Sequence, residues 1–166
     1  MVLSTPSNVR ATYGFGESTR SSQALKKGKQ YTLWNTDYWA AGFDASLYGT
    51  HPFFIQVTED GNAHGVLFLN SNAMEVMLDD SDTLGSVLAI QTAGGVVDFY
   101  VFSGPTPADV IKQYQEVIGK PALVPYWSLG FHNCRWGYEN LRQIKDVVAN
   151  YSAAGKKVSM CQEFVI

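Results

Sequence analysis

Residues 51–71, HPFFIQVTEDGNAHGVLFLNS, decide how the first part of the chain folds. The run 53–58 is rich in residues that favour strands, residues 59–62 (EDGN) are typical of a turn, and 66–69 is a second apolar run. Two strand-forming runs joined by a turn predict an antiparallel hairpin.

The segment that follows the hairpin, residues 72–78 (NAMEVML), alternates between apolar and other side chains. Met74, Val76 and Leu78 would lie on one side of a strand, and Glu75 and Met77 on the other. This alternation predicts a strand with one buried face and one solvated face.

Two further strand-forming runs, residues 86–92 (SVLAIQT) and 96–104 (VVDFYVFSG), flank the turn Gly94-Gly95. We expect them to form another pair of strands. No helical pattern interrupts this series, so the sequence predicts a mainly β fold with an antiparallel β-sandwich over residues 1–104.

Residues 105–124 carry the pattern of a helix and a connection. Thr106 can cap the helix, Pro107 suits its first position, and Asp109 favours its first turn. Gly119 and Pro121 are typical of its end. One face of this helix would be apolar, through Val110, Ile111, Tyr114, Val117 and Ile118.

The last part of the chain, residues 125–166, predicts a strand, a helix and a second strand. The apolar run 126–132 (YWSLGFH) is the first expected strand, residues 139–154 form the helix, and the run 157–166 is the second strand. A strand–helix–strand order predicts a parallel pair, the first unit of an α/β domain.

Composition excludes several classes of partner. The net charge is -3 and no run of five basic residues occurs, so no nucleic acid is expected. No stretch reaches the ~18 apolar residues of a membrane span, and the first residues lack the pattern of a signal peptide. Cys134 and Cys161 fit neither a disulfide framework nor a zinc site, and we predict no metal and no cofactor.

Four blocks of this sequence resemble glycoside hydrolase family 31, the α-glucosidase family. They are residues 13–17 (YGFGE), 47–54 with 64–78 (LYGTHPFF and HGVLFLNSNAMEVML), 98–138 (DFYVFSG to CRWGY) and 147–155 (VVANYSAAG). The resemblance implies a galactose-mutarotase-like sandwich followed by the first βαβ unit of an incomplete (β/α)8 barrel over residues 125–166. It also implies hydrolysis of terminal α-linked glucose with retention in the full enzyme.

The resemblance indicates a function for the cluster of polar and aromatic residues at 130–138 (GFHNCRWGY). Barrel enzymes place their active sites at the C-terminal ends of the strands. By the resemblance, Trp136 lines the sugar pocket, where an indole can stack on a pyranose ring. Arg135 and His132 would support the residues that line the pocket without contacting the sugar themselves. The alternative is a core tryptophan at a strand–helix junction.

Asp37 is the second candidate for substrate binding. In the family, a loop of the sandwich reaches over the barrel mouth and an aspartate on it binds sugar hydroxyls. Asp37, in residues 35–37 (NTD), matches that position. The alternative is an aspartate with a purely local role in a turn.

No catalytic residue is assigned in this chain. A retaining glycosidase needs two carboxyl groups, and by the resemblance both are aspartates on later barrel strands. The family also has a sugar-binding aspartate after the first barrel helix, and Phe164 falls near that position. Glu163 is a poor substitute because neighbouring residues of a strand face opposite sides.

Three hypotheses about function remain open. The chain is an incomplete family 31 α-glucosidase, a non-catalytic carbohydrate-binding protein, or one subunit of a split enzyme that pairs with the missing C-terminal barrel portion. The predicted partners are α-glucoside oligosaccharides, bound weakly or not at all by this chain alone. The compartment stays open, since full-length family members are often secretory-pathway or lysosomal proteins.

Overall fold

The computed structural model describes residues 2–4, 8–37, 44–81, 85–156, 158 and 160–164. The chain divides into two compact units, Met1–Lys120 and Pro121–Ile166.

The first unit contains two four-stranded sheets and one helix. Its strands are β1 (Val2–Ser4), β2 (Val9–Ser18), β3 (Lys29–Leu33), β4 (Ser46–Thr58), β5 (Ala63–Phe68), β6 (Met74–Ser81), β7 (Gly85–Thr92) and β8 (Phe99–Phe102), and its helix is α1 (Pro107–Ile118). One sheet has the order β1-β7-β6-β3 and the other β2-β4-β5-β8, with antiparallel pairing throughout both. The predicted antiparallel sandwich is therefore confirmed.

The hairpin predicted from residues 51–71 is formed by β4 and β5. Phe53 pairs with Leu67, and Val57 pairs with Ala63. The turn is closed by a hydrogen bond of 2.8 Å from the Thr58 amide to the Asn62 carbonyl oxygen. The strand-forming residues and the turn chemistry thus agree with each other, as the sequence predicted.

The alternation predicted after the hairpin is also confirmed. Met74, Val76 and Leu78 of β6 are buried, while Glu75 and Met77 are exposed. The strand lies between β3 and β7, so its buried face can cover the centre of the sandwich.

The expectation that residues 86–92 and 96–104 pair with each other is wrong. β7 pairs with β6 and β1, whereas β8 pairs with β5 in the other sheet. The connection from β7 to β8 passes from one sheet to the other. Asn70 Nδ2 holds this connection in place by donating to the carbonyl oxygens of Gly94 and Val96. The crossing lets both strands direct apolar side chains into one shared core.

That core fills the space between the two sheets. Phe68 and Phe99 stack with ring centroids 4.7 Å apart, and Phe15 lies 5.5 Å from Phe54. Its buried members come from both sheets and from the segment between β2 and β3: Phe15, Leu25, Tyr31, Leu33, Phe54, Val66, Phe68, Met74, Val76, Leu78, Leu88 and Ile90. Burial of this apolar surface stabilises the sandwich by roughly 25 cal/mol per Å².

Helix α1 covers the other face of the β2-β4-β5-β8 sheet. The Thr106 hydroxyl accepts from the Asp109 amide at 3.1 Å, which confirms the predicted cap. Val110 is fully buried against Ala63, Leu67 and Phe102. Gly65 permits this close approach, because a Cβ there would lie 2.5 Å from Val110 Cγ1.

The second unit contains a 3₁₀ helix (Tyr126–Leu129), β9 (His132–Trp136), α2 (Leu141–Ala153) and β10 (Met160–Phe164). β9 and β10 pair in parallel, with His132 opposite Met160 and Trp136 opposite Phe164. The predicted strand–helix–strand order and the fold class are confirmed.

The first strand of this unit does not cover residues 126–132 as predicted. The amide and hydroxyl of Ser128 both donate to the Pro125 carbonyl oxygen, at 2.9 and 2.7 Å, and fold these residues into a 3₁₀ turn. The strand begins at His132, so the polar stretch itself forms the strand and does not follow it. An apolar run alone cannot distinguish a strand from a short helical turn.

Candidate functional site

Asp37 lies in an extended segment after β3, with its carboxylate exposed. The Thr36 amide donates to the Leu47 carbonyl oxygen at 2.9 Å, which ties this backbone to β4. The Tyr48 hydroxyl donates to Asp37 Oδ1 at 2.7 Å. The contact from Tyr48 therefore fixes the carboxylate, and its second oxygen has no protein hydrogen bond among the described residues.

The hydrogen bond to Asp37 also changes the acidity of Tyr48. The pKa of the Tyr48 phenol is raised, because the hydroxyl donates to the carboxylate and because the negative charge nearby disfavours the phenolate. Tyr48 therefore stays a neutral hydrogen-bond donor to Asp37 at physiological pH.

The chain is also held by contacts at residues 44 and 45. Residues 38–43 lie outside the described part of the chain. Ala45 exchanges hydrogen bonds with Thr19, amide to carbonyl oxygen at 3.0 Å and amide to hydroxyl at 3.1 Å. Lys29 pairs with Asp44 at 2.7 Å, and this hydrogen bond lowers the pKa of the Asp44 carboxyl.

Trp136 is the last residue of β9, and 73% of its surface is exposed. Gly137, with φ of 89°, turns the chain away directly after it. An exposed indole at the C-terminal end of a parallel strand can stack on a sugar ring. The role of Trp136 in the sugar pocket stays a prediction, and a core tryptophan at the strand–helix junction stays the alternative.

Arg135 and His132 contact neighbours other than Trp136. The Arg135 guanidinium lies 5.0 Å from the ring centroid of Tyr138, which is buried, and Asn133 donates to the Tyr138 hydroxyl at 3.0 Å. His132 Nε2 lies 2.8 Å from the Ser128 carbonyl oxygen, to which it donates. Arg135 thus contacts the segment after β9 through Tyr138. The roles of Arg135 and His132 in supporting the sugar pocket stay predictions.

The register of β9 and β10 places position 164 directly beside Trp136. Here the position holds Phe164. The correspondence of Trp136 and Phe164 to the sugar-binding positions of the family stays a prediction.

Asp37 and Trp136 belong to different units, and each site residue is positioned within its own unit. Tyr48 was missed by sequence reasoning, although it lies within a block, 47–54, that carries the family resemblance. Its role depends on β4 lying beside Asp37, and no local sequence pattern shows that these two segments are neighbours.

Two further features concern the described residues only. No three side chains of His, Cys, Asp and Glu in that part of the chain are grouped so that they could hold a metal ion. Among the same residues, the helices are all too short or too polar to cross a membrane.

The sequence matches two family models. The glycosyl hydrolase 31 N-terminal galactose mutarotase-like domain matches residues 3–76, and the glycosyl hydrolases family 31 TIM-barrel domain matches residues 121–162. Together the two matches cover more than two thirds of the chain.

Curated relatives agree with these matches. The chain is 46% identical over 149 residues to an alpha-glucosidase of Hordeum vulgare, across 90% of this chain and 16% of the relative. It is 44% identical over 146 residues to alpha-xylosidase 1 of Arabidopsis thaliana, across 86% of this chain and 15% of the relative. The chain therefore spans about a sixth of the length of these relatives.

Solved structures show the same fold. A crystal structure of a glucosidase II alpha subunit superposes with a TM-score of 0.79 and 26% sequence identity, across 88% of this chain and 18% of that one. The matched domains, the curated relatives and this superposition all cover both units. The chain belongs to glycoside hydrolase family 31.

Proposed function

We propose that this chain supplies the β-sandwich and part of the substrate-pocket rim of a retaining α-glucosidase. The observation that carries the proposal is the 46% identity to the barley alpha-glucosidase across both units. The substrates would be oligosaccharides that end in α-linked glucose. The proposed domains are the sandwich at 1–104, the linking helix and connection at 105–124, and the start of the barrel at 125–166.

Asp37 and Trp136 have separate roles in this proposal. The free carboxylate oxygen of Asp37 accepts hydrogen bonds from sugar hydroxyls, held in place by Tyr48. The exposed indole of Trp136 stacks on the face of the terminal sugar. Both contacts position the substrate, and neither supplies the acid, base or nucleophile of the reaction.

The two carboxyl groups of the reaction are not assigned to this chain. Retaining glycosidases hold them about 5–5.5 Å apart, one as nucleophile and one as acid and base. By the family resemblance they lie on later barrel strands. A further barrel portion, in the same protein or in a partner chain, would then complete the active site.

An α-xyloside is a second candidate substrate, because the alpha-xylosidase of Arabidopsis is almost as similar as the barley enzyme. The two sugars differ at C5 of the ring, where glucose carries a hydroxymethyl group and xylose does not. Residues that touch this group would decide between them.

The test uses a full-length protein that contains this chain, assayed on chromogenic α-glucoside and α-xyloside. We expect hydrolysis of the α-glucoside, with KM raised about fivefold or more by Trp136→Ala and by Asp37→Asn, since each loses a substrate contact of about 1 kcal/mol. The thermal midpoint of Trp136→Ala should stay close to that of the wild type, because a side chain at the C-terminal end of a barrel strand faces the pocket and not the core.

Two results would contradict the proposal. One is a full-length protein that hydrolyses neither glycoside. The other is a Trp136→Ala variant that loses several degrees of thermal stability while its KM is unchanged. The 166-residue polypeptide by itself should show no hydrolysis, because the loss of a catalytic carboxylate removes roughly 8 kcal/mol or more of transition-state stabilisation.

A further inference from the structure

The outer face of the β1-β7-β6-β3 sheet carries an aromatic and polar surface that the proposed function does not use. The alternation of β3 places Gln30, Thr32 and Trp34 on this face, opposite the buried Tyr31 and Leu33. Trp34 follows the last residue of β3, and 60% of its surface is exposed.

Two adjoining depressions lie on this face and share the side chains of Glu75 and Gln91. One has a volume of about 390 Å³ and is lined by Gln30, Glu75, Val76, Met77, Ala89, Ile90 and Gln91. The other has a volume of about 300 Å³ and is lined by Thr32, Trp34, Ala73, Met74, Glu75, Gln91, Thr92 and Ala93. Trp34 therefore forms a wall of the same surface that holds the polar groups.

The polar groups form a row across three strands. Thr32 is the register partner of Glu75, and Glu75 is the register partner of Gln91. Neighbouring strands lie about 4.8 Å apart, so the row is about 10 Å long. Gln30 donates to the Glu75 carboxylate and fixes its orientation. A single pyranose ring does not fill a row of this length.

The chemistry of this surface suits a saccharide. A flat indole can stack on the C–H face of a pyranose, while amide, carboxylate and hydroxyl groups exchange hydrogen bonds with sugar hydroxyls. Glu75 is the only charged residue among those that line the two depressions, all of which belong to the described part of the chain. No cation is available there for a phosphate or sulfate group.

We infer that this face, with Trp34 as the stacking platform and the row Thr32, Glu75 and Gln91 as the polar contacts, binds an oligosaccharide outside the catalytic pocket. The choice of an α-glucan as the ligand rests on the proposed function. The site would hold one part of an α-glucan chain, so that the ends of the same glucan chain stay close to the enzyme.

The test is calorimetric titration of the 166-residue chain with maltoheptaose. Trp34→Ala should weaken binding by about fivefold to tenfold, the loss expected for one aromatic stacking contact. Trp34→Phe keeps a flat ring and should retain most of the affinity, whereas Trp34→Leu, which is apolar without being flat, should not. Gln91→Ala should weaken binding by a smaller factor.

Trp127→Ala is the matched control, because it removes an exposed tryptophan that belongs neither to this face nor to the proposed substrate pocket. Binding that survives Trp127→Ala and is lost in Trp34→Ala supports the inference, whatever the full-length protein hydrolyses. Absence of binding, or binding that is kept in Trp34→Ala, overturns it while leaving the proposed function intact. Sedimentation that shows self-association dependent on Trp34 would also overturn it, since the face would then be an interface between copies.

Discussion

At the scale of single residues, the contact between Tyr48 and Asp37 is the most specific feature of the candidate pocket. A hydroxyl on a strand holds a carboxylate on a loop, at 2.7 Å, and both groups are exposed. Such a contact adds little to stability, because water competes for both partners. Its value would lie in placing the second carboxylate oxygen toward a sugar.

Tyr48→Phe tests this positioning role in the full-length protein. We expect KM for an α-glucoside to rise about threefold to tenfold while kcat changes less, because the ring remains and only a hydrogen bond of about 1 kcal/mol is lost. Asp37→Ala in the same background should make Tyr48→Phe silent. Tyr126→Phe, which changes an exposed tyrosine in the other unit, serves as the control.

If Tyr48→Phe raised KM equally in the presence and absence of Asp37, the tyrosine would contact substrate by itself. If it left KM unchanged in both, Asp37 would be held by its backbone alone, through the bond between Thr36 and Leu47.

At the scale of elements, the packing of α1 on the β2-β4-β5-β8 sheet depends on two facing residues. Gly65 on β5 leaves room for Val110 on α1, which is fully buried. Phe53 and Tyr114 stack beside this contact with ring centroids 4.1 Å apart. The sheet is therefore apolar on both faces, and β5 is almost entirely buried.

A double-mutant cycle tests this contact. Gly65→Ala would bring a methyl group to 2.5 Å from Val110 Cγ1 and should lower the free energy of unfolding by about 1–3 kcal/mol. Val110→Ala should also destabilise, by leaving a cavity. The double variant should be more stable than the sum of both effects predicts, because the new methyl group occupies the vacated space.

Thermal or urea unfolding of the four proteins measures the coupling. Strictly additive losses would mean that α1 moves away from the sheet when Gly65 changes, and that the close approach is not required. Gly94→Ala is a control without a steric clash, since nothing lies within 4 Å of a Cβ there and its φ lies outside the left-handed region.

At the scale of the whole molecule, the two units differ in how well they bury their apolar side chains. The sandwich has a continuous core between its sheets and a second cluster under α1. The second unit exposes Trp127, Leu129 and Phe131, and no described residue of α2 is buried. Two parallel strands and one helix leave these groups without the neighbours that a closed barrel provides.

Hydrogen exchange of the 166-residue chain should show this difference. Amides of residues 53–69 should exchange slowly, since they belong to paired central strands, and amides beyond residue 124 should exchange much faster. The exposed apolar groups should also make the chain self-associate, which sedimentation measures. Slow exchange throughout residues 127–134 in a soluble monomer would contradict this expectation.

The sequence by itself determined the elements whose patterns are local. The alternation of Met74, Val76 and Leu78, the turn at residues 59–62 and the cap at Thr106 all appear in the structure where they were predicted. These features depend on residues a few positions apart, so propensity and period suffice. The resemblance to family 31 was equally readable, because it lies in long blocks of sequence.

Only the tertiary structure decided which strands pair and which side chains meet. β7 and β8 are neighbours in sequence but lie in different sheets. The core of a sandwich needs an apolar face from each of its two sheets, and these two strands contribute to different ones. The run 126–132 contains a 3₁₀ turn, so His132 to Trp136 became the strand. The contact of Tyr48 with Asp37 and the row formed by Thr32, Glu75 and Gln91 depend on register between distant segments. Local sequence patterns do not encode such register, since it is fixed by the packing of the whole sandwich.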